Sequence, residues 1–269
     1  VAQRFSVFVG TGGSRMQRPI NVTIDTEGTK YVTDAARNQV LVYDRVERFV
    51  AAFGAKGDFK PIDTAIVGER LYVVDIEHHE IRVLDKRSGK LLFKFGGAGS
   101  EAGKLFHPTN LAVGPDGDVY VVETNNFRVS RFTADGKFVR SYGEAGQTPG
   151  RFARPKGIAL DRAGRMYVSD SAFQNVQIFD NSGQVLMAFG QPPDGSQGLN
   201  LPAAVAIDYD HVALFRRYAS PRFSIEYLIL VVSQFGPNKV DVFGFGRMSG
   251  AAYPPDAKPA AKPPTKPPG

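Results

Sequence analysis

The chain has no cysteine and no tryptophan among its 269 residues, and only four histidines. Without cysteine it can hold no disulfide, thiolate zinc site, iron–sulfur cluster or covalently attached c-type haem, and it has no cysteine nucleophile. His78, His79, His107 and His211 leave little for a histidine-based metal centre. Long apolar runs are missing as well. The longest, residues 227–232, is far too short to cross a bilayer, so no membrane span is expected. No initiator methionine and no charged-then-apolar leader precede Val1, as in a processed protein or a fragment.

Glycine (29 residues) and proline (18 residues) are plentiful, which points to many tight turns. The formal charge of +6 is unevenly placed. Residues 247–269 carry Arg247, Lys258, Lys262 and Lys266 against Asp256 alone, which leaves the body close to neutral for its size. Composition therefore does not describe a uniformly basic surface for nucleic acid.

A repeat organises the body. Pro19, Pro61, Pro108, Pro155 and Pro202 lie 42, 47, 47 and 47 residues apart. The first four each lead, 35 residues on, to the glycine of an aromatic–glycine pair: Phe53-Gly54, Phe95-Gly96, Tyr142-Gly143 and Phe189-Gly190. Tyr31, Tyr72, Tyr120 and Tyr167 precede Tyr43, Leu84, Phe132 and Phe179 by 12 residues in every copy. Within one copy, GIAL, MYVSD, VQIFD and VLMAFG read as four short strands, rich in β-branched and aromatic residues and separated by glycine- or asparagine-bearing turns. PDGD and ADGK in the third copy are hairpin signals. Four antiparallel strands in some 40 residues, repeated, describe the blades of an all-β propeller. Repeats start near residues 18, 60, 107, 154 and 201.

At HPTNLAVGPDGDVYVVETNNFRVSRFTADGKFVRSYG and RPKGIALDRAGRMYVSDSAFQNVQIFDNSGQVLMAFG the chain resembles the NHL-repeat family. The resemblance covers residues 1–246 and implies a six-bladed propeller with an incomplete first blade in this chain. The alternative is five blades closed by the N-terminal strand, since RFSVFVG (residues 4–10) reads as an outermost strand and the fifth copy lacks a fourth strand of its own. Residues 247–269 read as a proline- and lysine-rich extended tail. Seven of the 16 residues from Pro254 are proline, which excludes helix and denies a sheet its donors.

Repeated polar residues need a structural account before a catalytic one. Asp34, Asp75, Glu123 and Asp170 end successive second strands and suggest a ring of catalytic carboxylates, but a carboxylate before a turn accepts the backbone N–H groups of that turn. The repeated tyrosines read as packing between blades. The residues that precede the repeat prolines are different: Arg18, Lys60, His107 and Arg154, then Leu201. With Arg37 and His78 from the turns on the same face, they predict a basic rim able to hold an acidic or phosphate-bearing partner. The plain alternative is solubility together with the extended backbone that any residue adopts before proline.

An insertion over residues 209–227 breaks the fifth copy. Phe215, Arg216, Arg217, Tyr218, Arg222 and Phe223 make it a candidate partner loop, because aromatic and arginine side chains anchor interfaces. DHVALFRRY is expected to form two helical turns capped by Asp210. No nucleophile elbow or phosphate-cradling loop is present, and three convergent histidines are not available for zinc. The sequence thus points to a non-enzymatic binding or scaffold module with no cofactor. The tail and the fifth copy also resemble bacterial secreted NHL proteins that accompany multihaem cytochromes. That resemblance implies an extracytoplasmic location and a protein partner, a multihaem cytochrome or another surface assembly. The rival readings are a metal-dependent propeller lyase or hydrolase, and RNA binding on the basic face. Near-neutral body charge argues against nucleic acid.

Overall fold

The computed structural model describes residues 14–55, 57–190 and 198–251. The described chain forms five antiparallel sheets in series. Blade 1 comprises β1 (Pro19–Ile24), β2 (Lys30–Asp34), β3 (Gln39–Tyr43) and β4 (Phe49–Phe53). Blade 2 comprises β5 (Pro61–Val67), β6 (Arg70–Asp75), β7 (Glu80–Asp85) and β8 (Leu91–Gly96). Blade 3 holds β9 (Pro108–Val113), β10 (Val119–Glu123), β11 (Arg128–Phe132) and β12 (Phe138–Tyr142). Blade 4 holds β13 (Pro155–Leu160), β14 (Met166–Asp170), β15 (Asn175–Phe179) and β16 (Val185–Phe189). Blade 5 has three described strands, β17 (Pro202–Asp208), β18 (Phe223–Ser233) and β19 (Val240–Met248).

The repeat prolines occupy one structural position. Pro19, Pro61, Pro108, Pro155 and Pro202 each start an inner strand and stand opposite Asp34, Asp75, Glu123, Asp170 and Ser233 at the end of the neighbouring strand. Proline is tolerated there because it opens the strand, and an inner edge needs no donor at its first residue. Successive inner strands pack on one another from β1 through β5, β9 and β13 to β17.

The core lies between blades. Tyr31, Val40, Val42 and Phe53 of blade 1 pack on Leu71, Val73 and Leu84 of blade 2, and equivalent clusters recur at the next three interfaces. Three of the four repeated tyrosines carry their hydroxyls across these interfaces. Tyr31 donates to the Lys86 carbonyl (3.2 Å), Tyr72 to the Ala134 carbonyl (2.6 Å), and Tyr167 meets the Tyr227 hydroxyl at 2.5 Å. Blade 1 ends the series on a different note. Ile20, Val22 and Ile24 are about half exposed (47, 50 and 58%) and line an apolar groove of about 420 Å³.

The aromatic–glycine repeat has a steric cause. The glycine turns the chain out of the fourth strand with positive φ, and a buried side chain of the following loop closes on it: Phe59 on Gly54, Leu105 on Gly96, Phe152 on Gly143 and Leu199 on Gly190. At Gly143 (φ +80°) a Cβ would stand 2.3 Å from the Phe152 ring. Gly143→Ala is expected to cost about 2–4 kcal/mol, from left-handed backbone strain and displacement of a buried ring together. Urea unfolding checks this, and a change below about 0.5 kcal/mol would show that the loop simply moves aside.

Several expectations are adjusted by the structure. β18 begins at Phe223, so the insertion is shorter than residues 209–227 and Phe223 belongs to the sheet. It holds α1 (Val212–Phe215) and one 3-10 turn (Arg216–Tyr218). Asp210 is not the cap. Asp208, two residues earlier, accepts the Asp210 and His211 amides at 2.7 and 3.0 Å and the His211 ring at 2.7 Å. β19 runs to Met248, two residues past the expected end of the propeller. The strand over residues 4–10, on which the closure of five or six blades turns, and the tail from Pro254 both lie outside the described residues.

Candidate functional site: the channel-mouth rim

Each inner strand begins at one end of its blade, and the same hydrogen bond fixes the residue before it five times. The carbonyls of Arg18, Lys60, His107, Arg154 and Leu201 accept the amides of Ala35, Ile76, Thr124, Ser171 and Gln234 at 2.9–3.2 Å. These five residues therefore form one ring of equivalent positions. Four of them are cationic or titratable.

The strand-end carboxylates lie directly beneath this ring and are fully buried. Asp34 accepts the amides of Gln17, Arg18, Ala36 and Arg37, and Asp170 those of Ala153, Arg154, Ala172 and Phe173. Asp75 accepts the Lys60, Glu77 and His78 amides and is flanked by Arg82 Nε at 3.1 Å. Glu123 takes the Phe106 amide, Asn126, Arg128 and Ser130. Their lone pairs are engaged in holding the turns and the rim backbone, which leaves none poised as a base toward solvent.

The rim side chains fall into two groups. His78 is tied to Asp75 (Nδ1 to Oδ2, 2.7 Å), and Arg37 donates to Gln39 Oε1 and the Arg15 carbonyl. Among the described residues, Arg18, Lys60, His107 and Arg154 have neither a carboxylate partner nor a side-chain hydrogen bond, and all but His107 are exposed. Several arginines elsewhere in the blades differ. Arg82, Arg128, Arg131 and Arg165 all pair with carboxylates.

Among the described residues Lys156 is a fifth cation without an ion pair, and the sequence reading missed it. It stands one residue past Pro155, where its siblings are Ile20, Ile62, Thr109 and Ala203. It is half-buried, and burial first, then Arg154, pulls its ionisation below the usual lysine range. The His107 imidazole is likewise pulled below its ordinary value, by burial first and then by His79 and Lys156. A reading of the second repeat column for charge would have found Lys156.

Metal chemistry was tested against the geometry. Asp75, His78 and Glu80 bring one ligand atom each within 4.8 Å of one another. Arg82 Nε already sits between the carboxylates, 3.1 Å from Asp75 and 3.2 Å from Glu80, and Lys94 reaches Glu80 at 3.1 Å. Two cations within the ligand set oppose a third.

The insertion emerges at the opposite end, where β17 reaches Asp208. Arg216, Arg217, Tyr218 (71% exposed) and Arg222 are on the surface, and Phe215 is partly covered. Arg217 lies 4.9 Å over the Tyr218 ring and donates to its hydroxyl, while Arg222 reaches the Ser249 carbonyl at 3.4 Å. No helix among the described residues is long and apolar enough to cross a membrane.

The NHL repeat model matches residues 107–132, the span that contains His107, the Glu123 turn and β11. The chain carries an NHL repeat in a β-propeller fold. No curated protein sequence matches it. Solved propellers resemble it in fold. A virginiamycin B lyase from Staphylococcus aureus is 14% identical with a TM-score of 0.61, over 89% of this chain and 70% of that one. A gluconolactonase from Xanthomonas campestris is 15% identical with a TM-score of 0.57, over 80% and 69%. The hydrazine synthase of Kuenenia stuttgartiensis is 14% identical with a TM-score of 0.54, over 87% and 70%. At these identities the likeness is one of fold alone, and function resides in the residues of this chain's own site.

Proposed function

We propose that this NHL propeller is a non-enzymatic binding module whose basic rim receives an acidic protein surface. The observation that carries the reading is the set of uncommitted cations, Arg18, Lys60, His107 and Arg154, at equivalent positions of one ring. A cation without a counter-ion among the described residues is available to a partner's carboxylates, and several on one rim steer association. The engaged strand-end carboxylates and the arginine inside the Asp75–Glu80 cluster support binding over catalysis. Metal-dependent lyase or hydrolase chemistry and RNA binding are the weaker readings.

The partner class we favour is a protein of an extracytoplasmic bacterial assembly, a multihaem cytochrome or another acidic surface component. Support comes from the proline- and lysine-rich tail, which would tether the propeller loosely. Arg216, Arg217, Tyr218 and Arg222 supply a second contact surface at the far end of blade 5.

The test uses poly-L-glutamate as an acidic probe and follows association by surface plasmon resonance. Arg18→Glu/Lys60→Glu/Arg154→Glu should slow association by about tenfold or more at low salt, with the difference collapsing once ionic strength shortens screening to a few ångströms. Unfolding stability should stay unchanged, because these side chains make no hydrogen bond or ion pair among the described residues. Equal association rates for the wild type and the triple variant would remove the rim from the account.

A further inference from the structure

We propose that the rim where blades 2, 3 and 4 meet is a seat for a single oxyanion, a phosphate or carboxylate group, held by Lys156, His107 and Arg154 beside the His79–Phe106 pair. The inference deepens the binding reading above and names the chemistry that one part of the rim selects.

Blade 3 departs from blades 1, 2 and 4 at this point, with a backbone turn that Leu201 of blade 5 (φ +50°) shares. In blades 1, 2 and 4 the rim amide donates to its own strand-end carboxylate: Arg18 to Asp34, Lys60 to Asp75, Arg154 to Asp170. His107 instead has left-handed backbone (φ +54°), and its amide donates across the blade boundary to His79 Nδ1 at 3.0 Å. Glu123 takes the preceding amide, that of Phe106. A non-glycine residue in this region is uncommon and costs on the order of 1 kcal/mol, so the contact it makes repays attention.

The shift has two consequences. Because His79 accepts at Nδ1, its ring proton sits on Nε2, and that N–H has no acceptor among the described residues. Phe106 is carried onto the surface (41% exposed), with its ring centroid 5.1 Å from that of His79. Lys156 approaches from blade 4. Its carbonyl accepts the hydroxyl of Thr109, two residues past His107, at 3.3 Å. Among the described residues, the His79 N–H without an acceptor, the half-buried Lys156 without a counter-ion and the exposed Arg154 are carried by the strands and turns that adjoin His107.

Among the described residues one carboxylate near this corner is uncommitted, the exposed Glu77 on the same turn as His79, and the others are already engaged. Glu123 is bound by Arg128, Ser130 and two amide groups, Asp170 by four backbone amides, Asp75 by His78 and Arg82, and Glu80 by Lys94 and Arg82. The remaining cations, Lys156 and Arg154, repel each other, and burial together with Lys156 opposes a proton on His107. An oxyanion placed among them converts that repulsion to attraction. Binding must then draw a proton onto His107, and affinity must rise as pH falls.

With only four histidines, the imidazole signals of the full chain can be followed one by one by NMR. Inorganic phosphate and poly-L-glutamate are titrated separately at about pH 6 and pH 8. The expected result is that at least one probe shifts His79 and His107 but not His78 or His211, binding about tenfold more weakly at the higher pH because one proton is taken up. Lys156→Gln should abolish the shift, and Arg154→Gln, an exposed position, should weaken it if Lys156→Gln disturbs the fold. The relative response to the two probes tells a phosphate ligand from a carboxylate one. Poly-L-glutamate binding with the His79 and His107 signals unmoved overturns the seat and leaves the rim reading intact. A phosphate response without poly-L-glutamate binding supports the seat and counts against the rim. A response that survives both Lys156→Gln and Arg154→Gln overturns the seat.

Discussion

Thermal unfolding of the wild-type chain should become easier as pH rises from about 4 to about 8, and Asp63→Asn should remove most of that slope. Asp63 lies on β5 and joins the inner strands of three blades. It accepts Asn21 Nδ2 of blade 1 (2.6 Å), Asn110 Nδ2 of blade 3 (3.1 Å), and the amides of Leu111 (2.9 Å) and Thr64 (2.8 Å). These four donors favour the ionised form, but none carries a charge, and β1 and β9 contribute no charged residue. Burial outweighs them and pushes the carboxyl up to about 7.

The sign follows from linkage. A group that ionises later in the folded state than in the unfolded one stabilises most below its unfolded value, and the benefit fades as pH rises through the folded value. For a carboxyl moved from 3.8 to about 7, the window is pH 4 to 7. The upper bound on the loss is about 4 kcal/mol, at about 1.4 kcal/mol per pH step. His107 acts in the opposite sense, because its ionisation is lowered, and comparison of wild type with Asp63→Asn cancels it. Asn keeps one acceptor oxygen and turns its amide toward the remaining donors, so Asp63→Asn should start about 1–3 kcal/mol below wild type at acid pH and converge with it above neutrality. Parallel pH profiles would mean that the carboxyl titrates as an ordinary one.

Asp63 also shows how far the sequence could be read. Five prolines at 42- and 47-residue spacing were enough to place every inner strand, because proline, turn and aromatic–glycine pair recur together and each has a local steric cause. Asn21, Asp63 and Asn110 all stand two residues past a repeat proline, so the repeat column held them in plain view as polar residues in an otherwise apolar strand. Their meeting at one carboxylate depends on the curvature that brings three inner strands together, which no single blade encodes. The same holds for the His107 amide on His79: the departure is a backbone rotation, and nothing in Phe-His-Pro announces it. The insertion misled for another reason. β18 is 11 residues long where its siblings have five or six, so residues taken for loop continue the sheet.

Asp170→Ala should destabilise the propeller by about 3–5 kcal/mol, because it strands four backbone donors beneath the rim, each worth about 1–3 kcal/mol before water compensates. The carboxylate is fully buried and accepts the amides of Ala153, Arg154, Ala172 and Phe173 at 2.8–3.1 Å. Asp170→Asn keeps one oxygen and should cost about half as much. Blade 5 offers a natural intermediate. The equivalent residue is Ser233, whose hydroxyl accepts the Asn200 amide at 3.1 Å, so a single acceptor suffices to hold that lead-in. Asp170→Ser should therefore fall between the wild type and Asp170→Ala, with the alanine variant melting about 10 °C below the wild type for a chain of this size. A catalytic carboxylate would give the opposite pattern, with Asp170→Asn abolishing activity at little cost in stability, since active sites trade stability for function. If the three variants unfold within about 0.5 kcal/mol of the wild type, the strand-end carboxylates do not hold the rim, and the ring of Asp34, Asp75, Glu123 and Asp170 returns as a candidate for chemistry.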